Sequence, residues 1–212
     1  MNAHHRREIA LAVGLSGIAG FVDAVAYIHL GGYFVSFMSG NSTRGGVELA
    51  HGSLHGWGLA VGLVAAFVFG VICGSVITHV MRAHQRAGVL MFVAAILVLA
   101  ALTGASASFG FVAPPLMALA MGAENAVFHK GGEVTIGLTY MTGNLVKMAQ
   151  RFTDAFFGGP RWAWLRYCWL WLAMASGAVL GATSYGWIAM SSLWIAAGLT
   201  ALAVIVSRAY VH

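Results

Sequence analysis

Six stretches of the chain, 9–30, 57–81, 88–109, 110–129, 164–189 and 191–208, each run for roughly twenty residues with almost no charge. A helix crossing about 30 Å of hydrocarbon needs about 20 apolar residues, so each stretch is long enough to span a bilayer. Only 8% of the 212 residues are charged and 60% are hydrophobic, whereas a water-soluble domain carries charge on about a quarter of its residues to cover its surface. A disordered chain is excluded as well, because such chains are poor in apolar residues. The expectation is an all-α integral membrane protein forming one transmembrane domain over 1–212. Trp57, Trp162, Trp164, Trp187 and Trp194 fall near span ends, where aromatic rings anchor at the interface. Pro114 and Pro115 open the fourth stretch, a position that tolerates proline. The basic start His4-His5-Arg6-Arg7 leads into an apolar run too long for a signal peptide, so the first stretch is expected to stay and span.

Two further segments, 31–52 and 131–156, are less apolar and are interrupted by Ser, Gly, Asn and a base. Crossing segments would make eight spans and re-entrant ones six, and charge arbitrates. With six spans and a cytoplasmic amino terminus, Arg6, Arg7, Arg82, Arg86, Lys130, Lys147, Arg151, Arg161, Arg166 and Arg208 lie inside and only Arg44 outside. Eight spans would put Arg82, Arg86 and Lys130 outside, against the positive-inside bias. Six spans with both termini cytoplasmic are therefore expected, and the net charge of +5 reflects topology, not a nucleic-acid partner.

The chain also repeats itself. Phe34 to Arg44 reads FVSFMSGNSTR and Gly137 to Lys147 reads GLTYMTGNLVK, identical at Met, Gly and Asn and conservative at five other columns. Upstream, Asp23-Ala24-Val25 answers Asn125-Ala126-Val127; downstream, Gly70 and Gly74 answer Gly177 and Gly181. The glycine pairs have the four-residue spacing that lets helices approach closely in lipid. Repeats of three spans, 9–109 and 110–208, must enter the membrane in opposite orientations. Inverted repeats with broken helices build polar sites at the midplane of transporters and some channels.

In each motif the glycine is expected to break the backbone and the asparagine to cap the helix that follows. Such a site would gather Ser39, Gly40 and Asn41 with Thr142, Gly143 and Asn144, and helix starts aimed inward suit an anion or the negative end of a polar solute. Arg44 and Lys147 either reach the same cavity and make it basic or snorkel to opposite interfaces. Lys147, Arg151 and Asp154 share one helical face, with Leu145, Phe152 and Phe156 opposite, as in an interfacial helix. Asp23 in the first span, with Glu124 and Asn125 in the fourth, are the intramembrane polar residues that default to a solute, ion or proton path, the alternative being a structural pair such as Asp23 with Arg44.

The remaining signals are weak. Cys73 and Cys168 lie in apolar runs as packing residues, and the histidines have no metal-ligand spacing, so no metal or cofactor is expected. Gly14-Leu15-Ser16-Gly17 imitates an intramembrane serine protease motif, but a glycine-rich span produces it by chance, and no enzyme is expected.

The stretch FVDAVAYIHLGGYFVSFMSGN (Phe21 to Asn41), with AMGAENAV (Ala120 to Val127) and the second MTGN (Met141 to Asn144), closely resembles the YoaK-like family over nearly the whole chain. Family members usually carry Thr-Gly-Asn at the first motif, so Ser39 is a departure that keeps the hydroxyl. The resemblance implies a bacterial inner-membrane protein with a domain of unknown function and supplies no substrate. The residues themselves point to a small-solute transporter or channel, with a non-transporting sensor or partner subunit as the alternative. Besides the lipid bilayer and a small polar or anionic solute, the glycine-rich faces suggest a homodimer as partner.

Overall fold

The computed structural model describes residues 3–82, 84–106, 108–130, 133–134 and 138–209. Its helices are α1 (Ala3–His29), α2 (Met38–Ala50), α3 (Leu54–Val80), α4 (Gln85–Gly104), α5 (Ala113–Glu124), α6 (Met141–Asp154), α7 (Leu165–Ile188) and α8 (Leu193–Ala209). Short 3-10 turns flank α5 at Gly110–Val112 and Asn125–Phe128. A two-residue antiparallel ribbon follows it, pairing His129 with Val134 and Lys130 with Glu133. Gly131, Gly132 and 135–137, where the second repeat motif begins, lie outside the described residues.

Among the described residues, five segments are long and apolar enough to cross a membrane: Arg7–His29, Leu54–Val80, Gln85–Gly104, Gly110–Phe128 and Leu165–Arg208. The last has 44 residues, which as one helix would reach about 66 Å at 1.5 Å per residue, twice the hydrocarbon thickness. Ala189, at a positive φ of 47°, breaks it into α7 and α8. In lipid these segments are helical because each must satisfy its own backbone hydrogen bonds. Helices α2 and α6, of 13 and 14 residues, reach only about 20 Å.

The long helices pack crosswise, α1 mainly along α7 and α3 mainly along α5. Bare backbone makes this approach possible. A Cβ on Gly70 would stand 2.0 Å from the Leu119 carbonyl oxygen, and one on Gly177 would stand 2.0 Å from that of Gly17. Gly74 and Gly181, one turn on, meet Ala123 and Phe21 in the same way. Gly20 and Gly122 answer from the opposite helices, against the carbonyls of Met174 and Phe67. Side chains of any size would hold these helices apart, and in lipid close van der Waals packing is what holds helices together.

Helix directions follow from contacts at the ends. Arg86 at the start of α4 pairs with Glu8 near the start of α1. Arg208, at the end of α8, donates to the Met91 sulfur near the start of α4. At the other end Gly104 of α4 lies against Met190, just before α8. Thus α1 and α4 begin at the end of the bundle where α8 finishes.

The segment after α1 turns back into the bundle. Gly31 and Gly32 take φ of 64° and 102°, a left-handed region that glycine enters without strain. Val35 and Ser36 then bind Asp23, which lies six residues before the end of α1, about 9 Å inward. From there α2 climbs back antiparallel to α3, with Gly45 against Ala60 and Glu48 beside Gly56. Ser53 accepts from the Gly56 N–H to start α3. Segment 30–53 therefore leaves and returns at the same end of α1.

Candidate functional site

Asp23 is buried and accepts three hydrogen bonds: from the Val35 N–H at 2.7 Å, the Ser36 N–H at 2.8 Å and the Ser36 hydroxyl at 2.7 Å. All three donors belong to the inward-turned segment, so this carboxylate fastens the tip of the loop to α1. Asn125 does the same in the second half. Its Oδ1 accepts from the Thr139 hydroxyl at 3.1 Å, and its Nδ2 donates to the Met121 carbonyl at 2.9 Å. The alternative reading, a pair of Asp23 with Arg44, does not form. The Arg44 guanidinium lies 3.9 Å from the centre of the Tyr33 ring and 3.6 Å from Glu48, on the outer part of α2.

The two motifs do not act as caps. α2 begins at Met38 after Phe37 and α6 at Met141 after Tyr140, neither with a side-chain cap. Gly40 and Gly143 sit inside unbroken helices, and the break lies upstream, at Gly31 and Gly32 in the first half. Asn41, buried in the first turn of α2, turns its amide back toward the loop. Its Oδ1 accepts from the Phe34 N–H at 2.9 Å and its Nδ2 donates to the Phe34 carbonyl at 2.6 Å. The physical reason is competition: a loop peptide with both groups unpaired offers the amide two bonds, where a helix start offers one. Its Nδ2 also approaches the Met38 sulfur, as that of buried Asn144 approaches Met141.

The hydroxyl residues of the motifs do not converge. Ser39 and Thr142 are exposed on the outer faces of α2 and α6, as is Lys147. Helix α2 packs on α3 and α6 on α7, and neither packs along the other. Between α2 and α3 lies a cavity of about 230 Å³, lined by Asn41, Ser42, Gly45, Trp57 and Val64. On α6, Arg151 pairs with Asp154 at 3.4 Å and Phe152 stacks on Phe156 and Trp164. The polar and aromatic sides of an interfacial helix are thus separated as expected.

What the fold brings together instead is the two loop tips. The Ser16 hydroxyl, buried in α1, donates to the Leu138 carbonyl at 3.4 Å. Ser16 and Asp23 are seven residues apart, which on a helix is the same face two turns along, or about 10 Å. One face of α1 thus holds Val35 and Ser36 at one level and Leu138 at another. The first tip arrives from the end of the bundle where α1 finishes. The second arrives from the end where α1 begins, since Phe128, closing the span of α5, lies under Arg86. No histidine hydrogen-bonds to Ser16 among the described residues, and its hydroxyl serves the loop.

Glu124 differs from all of these. It is completely buried at the end of α5, and among the described residues neither carboxyl oxygen has a hydrogen-bond partner. Among the described residues no group of three His, Cys, Asp or Glu could hold a metal ion. A groove of about 470 Å³ between α1, α7 and α8 is apolar apart from Ser176 and carries no charged residue.

Ser36, Thr139 and Ser16 were not expected to take part. The signal for two of them was present, because Ser36 and Thr139 occupy one column of the repeat as hydroxyls.

The comparisons agree with a membrane-embedded chain. Residues 11–206 match the family model described as protein of unknown function (DUF1275). The chain is 34% identical over 187 residues to a UPF0700 transmembrane protein of Rhizobium meliloti (strain 1021), covering 88% of this chain and 80% of the relative. No solved structure matches it. Spanning segments, crosswise packing and a family match over nearly the full length lead to one assignment: the chain belongs to the DUF1275 family of transmembrane proteins, whose function is unknown.

Proposed function

We propose that the chain is a small-solute transporter or channel of the bacterial inner membrane, built from two inverted three-span repeats, 9–109 and 110–208. The observation that carries this reading is the stacking of two loop tips, entering from opposite ends of the bundle, on one face of α1 through Ser16 and Asp23. Paired re-entrant elements at the midplane are how transporters with inverted repeats form a polar path through hydrocarbon. The crosswise glycine contacts support the repeat, since Gly70 and Gly74 meet α5 as Gly177 and Gly181 meet α1. The shared direction of α1 and α4, and the opposite direction of α8, favour six spans over eight. Eight alternating spans would point α4 against α1. The positive-inside bias puts both termini in the cytoplasm, and the likeness to the YoaK-like proteins fits the same reading.

The solute class is small and polar or anionic. Helix α2 starts deep in the bundle without a side-chain cap, and its positive dipole end faces inward beside the Asn41 cavity. A cavity of 230 Å³ holds a few waters' volume, at about 30 Å³ each. The reading also takes the chain to be neither an enzyme nor a cofactor carrier.

The test is reconstitution of purified protein into liposomes with a panel of small anions and polar metabolites. Passage of at least one, abolished by Asn41→Leu in folded protein, is expected. If no solute crosses and a stoichiometric membrane partner co-purifies, the chain is a sensor or partner subunit instead.

A further inference from the structure

Every other buried acid or amide described above is tied to a neighbour, and Glu124 is not. Both its oxygens are buried and, among the described residues, without a donor, at the end of a helix whose other buried residues are Ala, Pro, Met and Gly. An ionised carboxylate in such a place has a large desolvation cost and no compensating bond. A purely packing role is met without that cost by Leu or Met. Acids inside membrane spans mark ion or proton paths.

The coordination chemistry decides which ion. A metal cation gathers several oxygen ligands, six or more for calcium, and among the described residues Glu124 belongs to no cluster of three His, Cys, Asp or Glu side chains that could supply them. A proton needs only the one carboxylate. Helix α5 is packed by α3, α4 and α1, and the titratable groups on those helices are placed as follows. On α3, Cys73 is half-buried, His79 bonds the Ser75 carbonyl, and His55 sits at the far end. On α1, Asp23 is held by Ser36, His29 by the Tyr185 hydroxyl, and Glu8 by Arg86 of α4. The side chains of Lys130 and Glu133, in the ribbon beyond α5, lie outside the described residues. Four residues past Glu124, the Phe128 ring lies 5.7 Å beneath the Arg86 guanidinium, and the Arg86–Glu8 pair is about a third exposed, at 32% and 28%.

We propose that Glu124 is the proton-binding site of the transporter: its carboxylate takes up one proton from water and returns it to water past Phe128 and the Arg86–Glu8 pair. The step forms and breaks a single O–H bond and needs no other reactant. It rests on the transport reading above and supplies its coupling ion.

The experiment is infrared spectroscopy of the reconstituted full chain, with carbodiimide mapping of the same samples. At neutral pH the wild type is expected to show the carbonyl band of a protonated acid, absent in Glu124→Gln. The band should shift in deuterated water and disappear reversibly on alkaline titration. Dicyclohexylcarbodiimide, which enters lipid and attacks protonated carboxyls, should modify the peptide carrying Glu124 and lose that reactivity along the same titration. A neutral-pH spectrum without the band, or a band that never exchanges its proton, overturns the proposal. If Glu124→Gln does not fold, the carbodiimide mapping on wild type alone decides. Wild-type protein with an exchanging Glu124 band but no solute passage would remove the transport reading and leave the proton site. Solute passage without the band would do the reverse.

Discussion

Asp23 stands to Ser36 as Asn125 stands to Thr139: in each half a polar side chain near the end of a spanning helix receives the hydroxyl of a residue at the tip of the loop that follows. One half uses a carboxylate and the other a neutral amide, so the latch depends on an acceptor at that position and not on charge.

Asp23→Asn is accordingly expected to be tolerated, because it reproduces the arrangement of the second half. Asp23→Ala leaves three buried donors without an acceptor and should cost about 3 kcal/mol or more, at about 1 to 3 kcal/mol for each unsatisfied group. Thermal unfolding in detergent distinguishes the two, and equal losses for Asn and Ala would show that charge is what matters.

The crosswise contacts predict position-specific sensitivity among glycines that look alike in sequence. Gly70→Leu and Gly177→Leu drive a side chain into a facing carbonyl and should destabilise by about 3 kcal/mol or more. Gly58→Leu and Gly198→Leu meet open space and should stay within about 0.5 kcal/mol of wild type. Four similar melting temperatures would contradict the packing.

Asn41→Ala removes both partners of the Phe34 peptide and is expected to cost about 2 kcal/mol. Limited proteolysis in detergent should then cut within 30–37 sooner than in wild type, while cleavage near 158–161 is unchanged. Were the asparagine a simple helix cap, the added cleavage would fall at the start of α2 instead.

Topology has an inexpensive check. Reporter fusions near residues 54 and 84 should report the outside and the inside respectively. The reverse pattern is what eight spans or the opposite orientation would give, and both on one side would show that Leu54–Val80 does not cross.

Sequence reasoning located the spanning helices closely. The stretches 9–30 and 57–81 correspond to α1 and α3, and 164–189 and 191–208 to α7 and α8. Apolar length is set by the hydrocarbon and needs no tertiary information. The fourth stretch is α-helical only over Ala113–Glu124, with 3-10 turns completing it. The motifs are legible in the sequence, but the helix caps they suggest do not form. Asn41 answers a peptide seven residues upstream in an irregular segment, and no periodicity marks such a segment. The Asp23 partner was legible in principle through the shared Ser36 and Thr139 column. Nothing in the one-dimensional pattern distinguishes Glu124, buried without a hydrogen-bond partner among the described residues, from Asp23, which is fully engaged.

The exchange of partners between α1 and α7 on one side and α3 and α5 on the other has a consequence for how such a molecule is assembled. Neither half encloses a core of its own: each lends its principal helix to a surface supplied by the other. A polypeptide ending near residue 109 would expose the bare carbonyl ridge of Gly17 and Phe21 and the glycine groove of α3, surfaces that the remainder of the chain covers. Co-expressed fragments divided near residue 109 should therefore reassemble where either alone is degraded.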